Sequence, residues 1–351
     1  MAQLNLLDLI DEPAAAPSTG PLVVSYGLGV DSTAVLVGLR DRGTRPDLIL
    51  FADTGSEKQE TYDYLPVIQE WLEGVGFPPV TVVTNRVKDF KHWPPYHTLG
   101  ENCLTNGTLP SLAFGFKSCS LKWKVAPQNK FTKNWAPAQA AWRRGEKVRK
   151  VIGYDDGPKD RRRYAQAIGI EDPAYEYWYP LLDWHWDRDA CKGVIRGAGL
   201  PVPPKSACYF CPATQPEELH EHRKVYLRFI VLMEARAAPR LEKIEGLWRN
   251  GVKGTRGGKK RPGKMTEYIR EHGLLPGAEI DDIAARAPLE LLDNQKAFAT
   301  GAEIPEWHDF LEAFTPETAT DEIGCGAHRV PRLIDLGTDR VTTDPVARTE
   351  Q

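Results

Sequence analysis

Apolar residues in the first part of the chain fall into three short runs, LVVS (22–25), DLILFAD (47–53) and VTVVT (80–84). Each is too short for a buried helix and rich in β-branched residues, so each predicts a buried strand. Between them the apolar positions recur at helical spacing, and strands alternating with helices predict parallel βαβ units in a doubly wound sheet. The second connecting helix is marked by Ser56 followed by Gln59, a capping-box spacing, and continues through Tyr62, Leu65, Ile68, Gln69 and Leu72. A helical region bearing tryptophans, from Trp123 to Trp142, precedes KVRKVIGYD (147–155), which predicts a fourth parallel strand.

Downstream, the aromatic YEYWYPLLDWHWD (175–187) leads into GLPVPPKSACYFCPA (199–213), a proline-rich loop with paired cysteines. Thr214 and Glu217 form a second capping-box spacing, predicting a helix over LHEHRKVYLRFIVLMEARA that ends near Pro239. The organisation expected is a flexible leader (1–20), an α/β domain carrying the cysteine motif (21–213), a helical C-terminal region (214–330) and a polar tail (331–351).

Composition narrows the class. The 351 residues are 41% hydrophobic and 26% charged, an ordinary globular balance that excludes disordered and fibrous chains. A formal net charge of -3 gives no global attraction to nucleic acid or to acidic membranes, so such binding would need a local basic patch. No apolar run is long enough to span a bilayer, and the acids of MAQLNLLDLIDEP do not suit a secretory signal, so a cytoplasmic location is expected. Thiols stay reduced there, which makes Cys103, Cys119, Cys191, Cys208, Cys211 and Cys325 metal ligands, nucleophiles or core residues rather than disulfides.

The strongest chemical signal is LVVSYGLGVDSTAVLVGLR, a strand, a turn with Gly27 and Gly29, and a helix opening at Asp31, Ser32 and Thr33. Glycines let the backbone approach a phosphate, the helix N-terminus directs N–H groups at it, and the hydroxyls of Ser25, Ser32 and Thr33 add donors. The loop lacks the Gly-Lys-Ser/Thr ending of a Walker loop, which argues against a kinase or motor ATPase. It also lacks the third glycine of a dinucleotide fingerprint.

Ser25-Tyr26-Gly27-Leu28-Gly29-Val30-Asp31-Ser32 resembles the PP-loop, commonly Ser-Gly-Gly-x-Asp-Ser, of the adenine nucleotide α-hydrolase-like superfamily. Phe51-Ala52-Asp53-Thr54-Gly55, followed by Glu57, Glu60 and Thr61, resembles a strand-end motif of its phosphoadenosine phosphosulfate (PAPS) reductase branch. Gly153-Tyr154-Asp155 with Arg161, Arg162 and Arg163 is similar to a later glycine-acid-arginine segment. The resemblance covers about residues 22–213; it departs at Tyr26 and Leu28, in a loop usually richer in glycine. It implies an adenine nucleotide α-hydrolase-like, Rossmann-like fold, with ATP or PAPS as the nucleotide and Mg²⁺ expected. The nucleotide-binding residues would be Ser25, Tyr26, Gly27, Gly29, Asp31, Ser32, Thr33, Asp53, Thr54, Gly55, Gly153, Arg161 and Arg163. Asp53 has the further readings of a ribose or Mg²⁺ ligand and of a polar strand-end cap, and the arginines those of an oxyanion clamp and of a solvated charge run.

Cys208-Tyr209-Phe210-Cys211 suits chelation, and Cys119 and Cys191 are the candidates to complete a four-thiolate zinc or iron–sulfur site; buried structural thiols and a redox dithiol are the alternatives. Lys117, Lys122 and Lys124 beside Cys119 favour a thiolate in either a ligand or a nucleophile. Cys325-Gly326-Ala327-His328 resembles the terminal Cys-Gly-x-His of PAPS reductases, with Gly324 where that motif has glutamate. Asp31, Cys119 and Cys325 are the candidate catalytic residues. RNGVKGTRGGKKRPGK (249–264) is a basic, glycine-rich loop able to follow a polyanion such as nucleic acid, or to lie solvated. His92, His97 and His185 sit in aromatic surroundings that favour packing or hydrogen bonding, and His220 with His222 has the wrong spacing for a helical metal pair.

Three functions stay open on this reading. The first is an enzyme that adenylates at the α-phosphate with pyrophosphate release, in sulfur transfer or nucleic-acid modification, with a sulfur-donor protein as its partner. The second is a sulfonucleotide reductase using Cys325, and the third a non-catalytic nucleotide- or nucleic-acid-binding component.

Overall fold

The computed structural model describes residues 19–87, 94–254, 260–287 and Leu311. Five strands form one all-parallel sheet in the order β3-β2-β1-β4-β5: β1 (Leu22–Tyr26), β2 (Leu48–Asp53), β3 (Val80–Thr84), β4 (Val148–Ile152) and β5 (Tyr175–Trp178). All four expected strands are present. The fifth lies within the aromatic run 175–187 and pairs Tyr177 with Lys150 and Trp178 with Val151 at the sheet edge. Tryptophans and prolines in that run obscured its short strand.

Strand alternation divides the sheet into two buried faces. Ile49 and Phe51 turn one way and pack under α1 (Val30–Asp41), α2 (Gln59–Gly74) and the later α9 (Arg188–Gly197). Leu48, Leu50 and Ala52 turn the other way against α5 (Ala126–Asn134) and α6 (Ala136–Arg143). The remaining helices of this part are α3 (Leu99–Asn106), the single turn α4 (Ser118–Ser120) that runs into a π-helical segment Leu121–Val125, α7 (Pro158–Ala167) and the short α8 (Pro180–Asp183). Helices thus cover both faces, and the winding direction reverses between the adjacent parallel strands β1 and β4. No described helix is long and apolar enough to cross a membrane.

A further core joins α3, the CxxC loop, α10 (Lys224–Ala237) and α11 (Met265–Glu271). Phe210 stacks on Phe229, and Tyr209 on Tyr226, so residues on either side of position 213 pack together. A two-stranded hairpin, β6 (Val252–Lys253) with β7 (Lys260–Arg261), projects between α10 and α11 in sequence.

Two expected helix starts lie elsewhere. Helix α2 begins at Gln59 with Lys58 as its N-cap; Ser56 is buried, and its Oγ accepts the Gly100 N–H at 3.0 Å. Thr214 caps no helix either: it is buried, its carbonyl accepts the Trp248 indole N–H, and a 3₁₀ turn (Pro216–Glu221) separates it from α10. In both cases a tertiary partner took the residue that local capping would have used. The capping box that does form, Thr98 with Glu101, starts α3.

Gly38 lies where α1 meets the Trp184 ring, which a Cβ would approach to 2.2 Å, while Arg42 stacks on that same ring at 4.0 Å. Gly74, the last residue of α2, has no side chain or backbone within reach of a Cβ. Gly38→Ala is therefore expected to lose about 1–3 kcal/mol through overpacking, and Gly74→Ala to be neutral or slightly stabilising. Paired urea melts check both.

Candidate functional site

The loop after β1 and the loop after β4 meet above the carboxyl ends of the two strands, where open α/β sheets hold ligands. The contact is close: a Cβ on Gly153 would lie 3.0 Å from the Ser32 backbone nitrogen and 3.2 Å from the Asp31 carbonyl carbon. A Cβ here would push the β4 loop and the first turn of α1 apart by a few tenths of an ångström, so the glycine lets them sit this close. Gly29 is the extended N-cap of that helix, so the N–H groups of its first turn face out of the helix end with no intrahelical acceptor. Ser32 closes the loop, its Oγ accepting from Gly27 N–H at 3.1 Å and donating to the Gly29 carbonyl at 3.2 Å. Ser25 Oγ donates to Gln128 Oε1 at 2.9 Å.

Leu28 takes the left-handed conformation, φ 56°, that glycine adopts without cost. Its side chain is fully buried in the core beneath α1 rather than beside the loop opening, and that burial offsets the backbone strain. Two side chains expected at the nucleotide also point inward. Tyr26 and Thr33 are buried, with their hydroxyls 3.0 Å apart, because alternation turns Tyr26 toward α1 and position 33 faces the sheet.

Beside this loop Asp31, Asp155 and Asp160 bring carboxylate oxygens within 4.8 Å of one another, the one such metal-capable group among the described residues. Arg188, at the start of α9, spans two of them, 2.9 Å from Asp31 Oδ1 and 3.3 Å from Asp155 Oδ2. The contact with Asp31 is an ion pair without hydrogen-bond alignment, so Oδ1 keeps its acceptor capacity. Arg163 pairs with Asp160 at 2.8 Å, and Arg161 with Asp156 at 2.7 Å. Burial pushes Asp31 up to about 7; Arg188 opposes this and Asp155 and Asp160 reinforce it. Hard oxygen donors of this kind suit Mg²⁺. The sequence named Asp31 as a site residue and held Asp155 only within the glycine-acid-arginine segment, and it gave no sign of Asp160 or Arg188. Arg188 follows an ordinary N-cap aspartate, and only the fold carries it to the carboxylates.

The loop after β2 forms the other flank. Asp53 is buried and accepts from Gly55 N–H at 2.8 Å and Tyr62 O–H at 2.7 Å, which makes it a strand-end cap; burial raises its pKa. Gly55 is required twice over, by φ 65° and by Thr98, whose Cγ2 would lie 2.4 Å from a Cβ. The CxxC loop is stitched to this segment by backbone bonds from Tyr209 N–H to Ser56 O and Lys58 N–H to Ala207 O. Thr54 Oγ1 consequently lies 3.4 Å from both Cys208 Sγ and Glu57 Oε1. Glu57 has a fully buried side chain, and its Oε1 pairs with Lys124 Nζ at 2.7 Å; burial acts most strongly on the Lys124 pKa and lowers it, but the charge and hydrogen bond of Glu57, with Cys208 and Cys211 nearby, together hold it above its usual value.

The four-thiolate set is not assembled. Cys208, Cys211 and Cys119 belong to the core around α3 and α10, with Cys103, whereas Cys191 lies on α9 in the core beneath α1. Helix α9 packs on α1, and Cys191 is buried in that core, apart from the core that holds the CxxC. Among the described residues no three thiols lie within 4.8 Å of one another, so they form no preassembled four-thiolate zinc site, and Cys191 stands in a separate core from the other three. Cys325 and His92 lie outside the described residues, as do positions 255–259 of the basic loop. His222 is held between the Glu218 and Tyr209 carbonyls, a structural position. His185 is exposed, 3.7 Å from Asp156.

No protein-family model matches the chain, and a search of curated proteins finds no match.

Two outcomes follow from this geometry. An acid whose folded pKa is raised binds protons more tightly when folded, so its contribution is greatest at low pH and is lost as pH rises from about 4 to about 7. The Tm of the wild type is expected to fall more steeply across that window than that of Asp31→Asn; parallel slopes contradict it. Burial raises the thiol pKa of Cys103, Cys208 and Cys211 and pushes Cys191 up to about 12, while Cys119 is only half-buried. Iodoacetamide near pH 8 should therefore alkylate Cys119 first among these five. Mass spectrometry of timed samples reads the order.

Proposed function

We propose that the chain binds ATP at the junction of the β1 and β4 loops and acts at its α-phosphate, releasing pyrophosphate; a sulfonucleotide, which has no pyrophosphate to release, is the alternative ligand of the same site. The observation that carries this reading is the contact of Gly153 with the first turn of α1, which brings the glycine loop, the N-terminus of α1 and three carboxylates together. Phosphate oxygens would take the N–H groups of that first turn, and the Ser32 bridge keeps the loop from reorganising as charge develops on the leaving pyrophosphate. An acceptor nucleophile attacks the α-phosphorus, the bond from α-phosphorus to the bridging oxygen breaks, and the electron pair leaves with pyrophosphate. Asp31, Asp155 and Asp160 would hold Mg²⁺, which when bound neutralises phosphate charge. Arg188 restrains two of those carboxylates and balances their charge when no cation is present.

Sulfur chemistry is the extension of this proposal supported by Cys208, whose Sγ abuts Thr54 in the loop after β2. A sulfur-donor protein would serve that extension.

Isothermal titration with ATP and Mg²⁺ is expected to give binding that Ser32→Ala weakens about tenfold, through loss of the loop-closing hydrogen bonds to Gly27 and Gly29. Pyrophosphate release on addition of the correct acceptor would accompany it. Equal affinity in both proteins, or no binding in either, overturns the reading.

A further inference from the structure

From Asn102 to Gly145 the chain has no acidic residue but seven lysines and arginines, Lys117, Lys122, Lys130 and Lys133 among them. A second acid-free stretch runs from Gly246 to Thr266, with Arg249, Lys253, Lys260, Arg261 and Lys264 among its cations. In a chain of net charge -3, two such stretches concentrate positive potential locally. The fold joins them: Arg249 lies against Gly115, where a Cβ would be 3.3 Å from Nη1.

The edge of the first stretch is apolar and open. Phe116 is 66% exposed, Leu121 59% and Val125 37%, and Val252 on β6 is 45% exposed. These side chains do not belong to a loose segment. Trp123 is buried in the core behind them, and Leu121–Val125 is π-helical, a geometry often found at functional sites. The hairpin is equally well rooted. Buried Glu234 accepts the N–H groups of Leu247 at 2.7 Å, Met265 at 3.0 Å and Thr266 at 2.8 Å, and Arg261 lies over the Trp248 ring. The same 115–128 segment reaches the candidate site, through Lys124 to Glu57 and through Gln128 to Ser25. Cations, an open aromatic ring and exposed aliphatic side chains thus form one surface that leads to the nucleotide loop.

We propose that this surface binds a single-stranded nucleic acid. Its bases would stack on Phe116 and pack against Leu121, and its phosphates would follow Lys117, Lys122 and the hairpin cations. A duplex hides its base faces and could use only the charge. An acidic peptide offers charge without a row of π-faces. The inference does not depend on the proposed nucleotide chemistry, and its test contains no ATP.

The probe is a fluorescein-labelled oligodeoxythymidine of about 20 nucleotides, followed by anisotropy with the full chain over a salt series. Single strand is expected to bind about tenfold more tightly than a duplex of equal length, and Phe116→Ala to remove about tenfold with an unchanged melting curve. Lys253→Glu with Lys260→Glu should weaken binding and flatten its salt dependence, and polyglutamate should compete poorly. Absence of binding, equal affinity for duplex, an unaltered Phe116→Ala protein, or polyglutamate competing as well as unlabelled oligonucleotide would each overturn the proposal.

Discussion

The approach of the β4 loop to the first turn of α1 is the constraint on which the candidate site depends. Parallel strands leave their carboxyl-terminal loops at one edge of the sheet, and reversal of winding between β1 and β4 opens a crevice there. Gly153 allows the two loops to touch. Because they touch, Asp155 and Asp160 come within reach of Asp31, and α9, packed along α1, delivers Arg188 to the same carboxylates. A side chain at position 153 would crowd this contact and shift the two loops by a few tenths of an ångström.

The second flank is tied to the first through the sheet. Strand β2 ends in Asp53, whose capping of Gly55 and Tyr62 sets the loop that follows, and that loop carries the CxxC segment on its backbone hydrogen bonds. Buried Glu57 and its partner Lys124 connect it in turn to the π-helical segment. Such a buried pair adds little net stability over apolar packing, but losing one partner would leave a charge uncompensated in the interior. Its consequence is positional, since it fixes the segment bearing Phe116 and Leu121 beside the candidate site.

Much of this architecture was legible in the sequence. Four strands, the glycine turn and the α1 start were marked by β-branched runs and by Gly27 and Gly29, which are local signals. Ser56 and Thr214 misled because each carries a local capping pattern that a distant partner, Gly100 for one and Trp248 for the other, overrides. Tyr26 and Thr33 belong to the motif by position yet bond each other in the core, a consequence of which face each element presents. Cys191 was grouped with the other thiols by residue type alone, and the helix that bears it packs into a different core from theirs. Asp160 and Arg188 left no local signal, because their role exists only once α7 and α9 are packed.

Amide hydrogen exchange tests the account most directly, since it reports on the backbone N–H groups that the proposed site would use. On addition of ATP with Mg²⁺, protection is expected to rise in the segment around Gly27 to Thr33 and around Gly153 to Gly157, with the far end of the sheet unchanged. Protection confined to other segments, or none at all at saturating nucleotide, would contradict a phosphate site at the junction of the β1 and β4 loops.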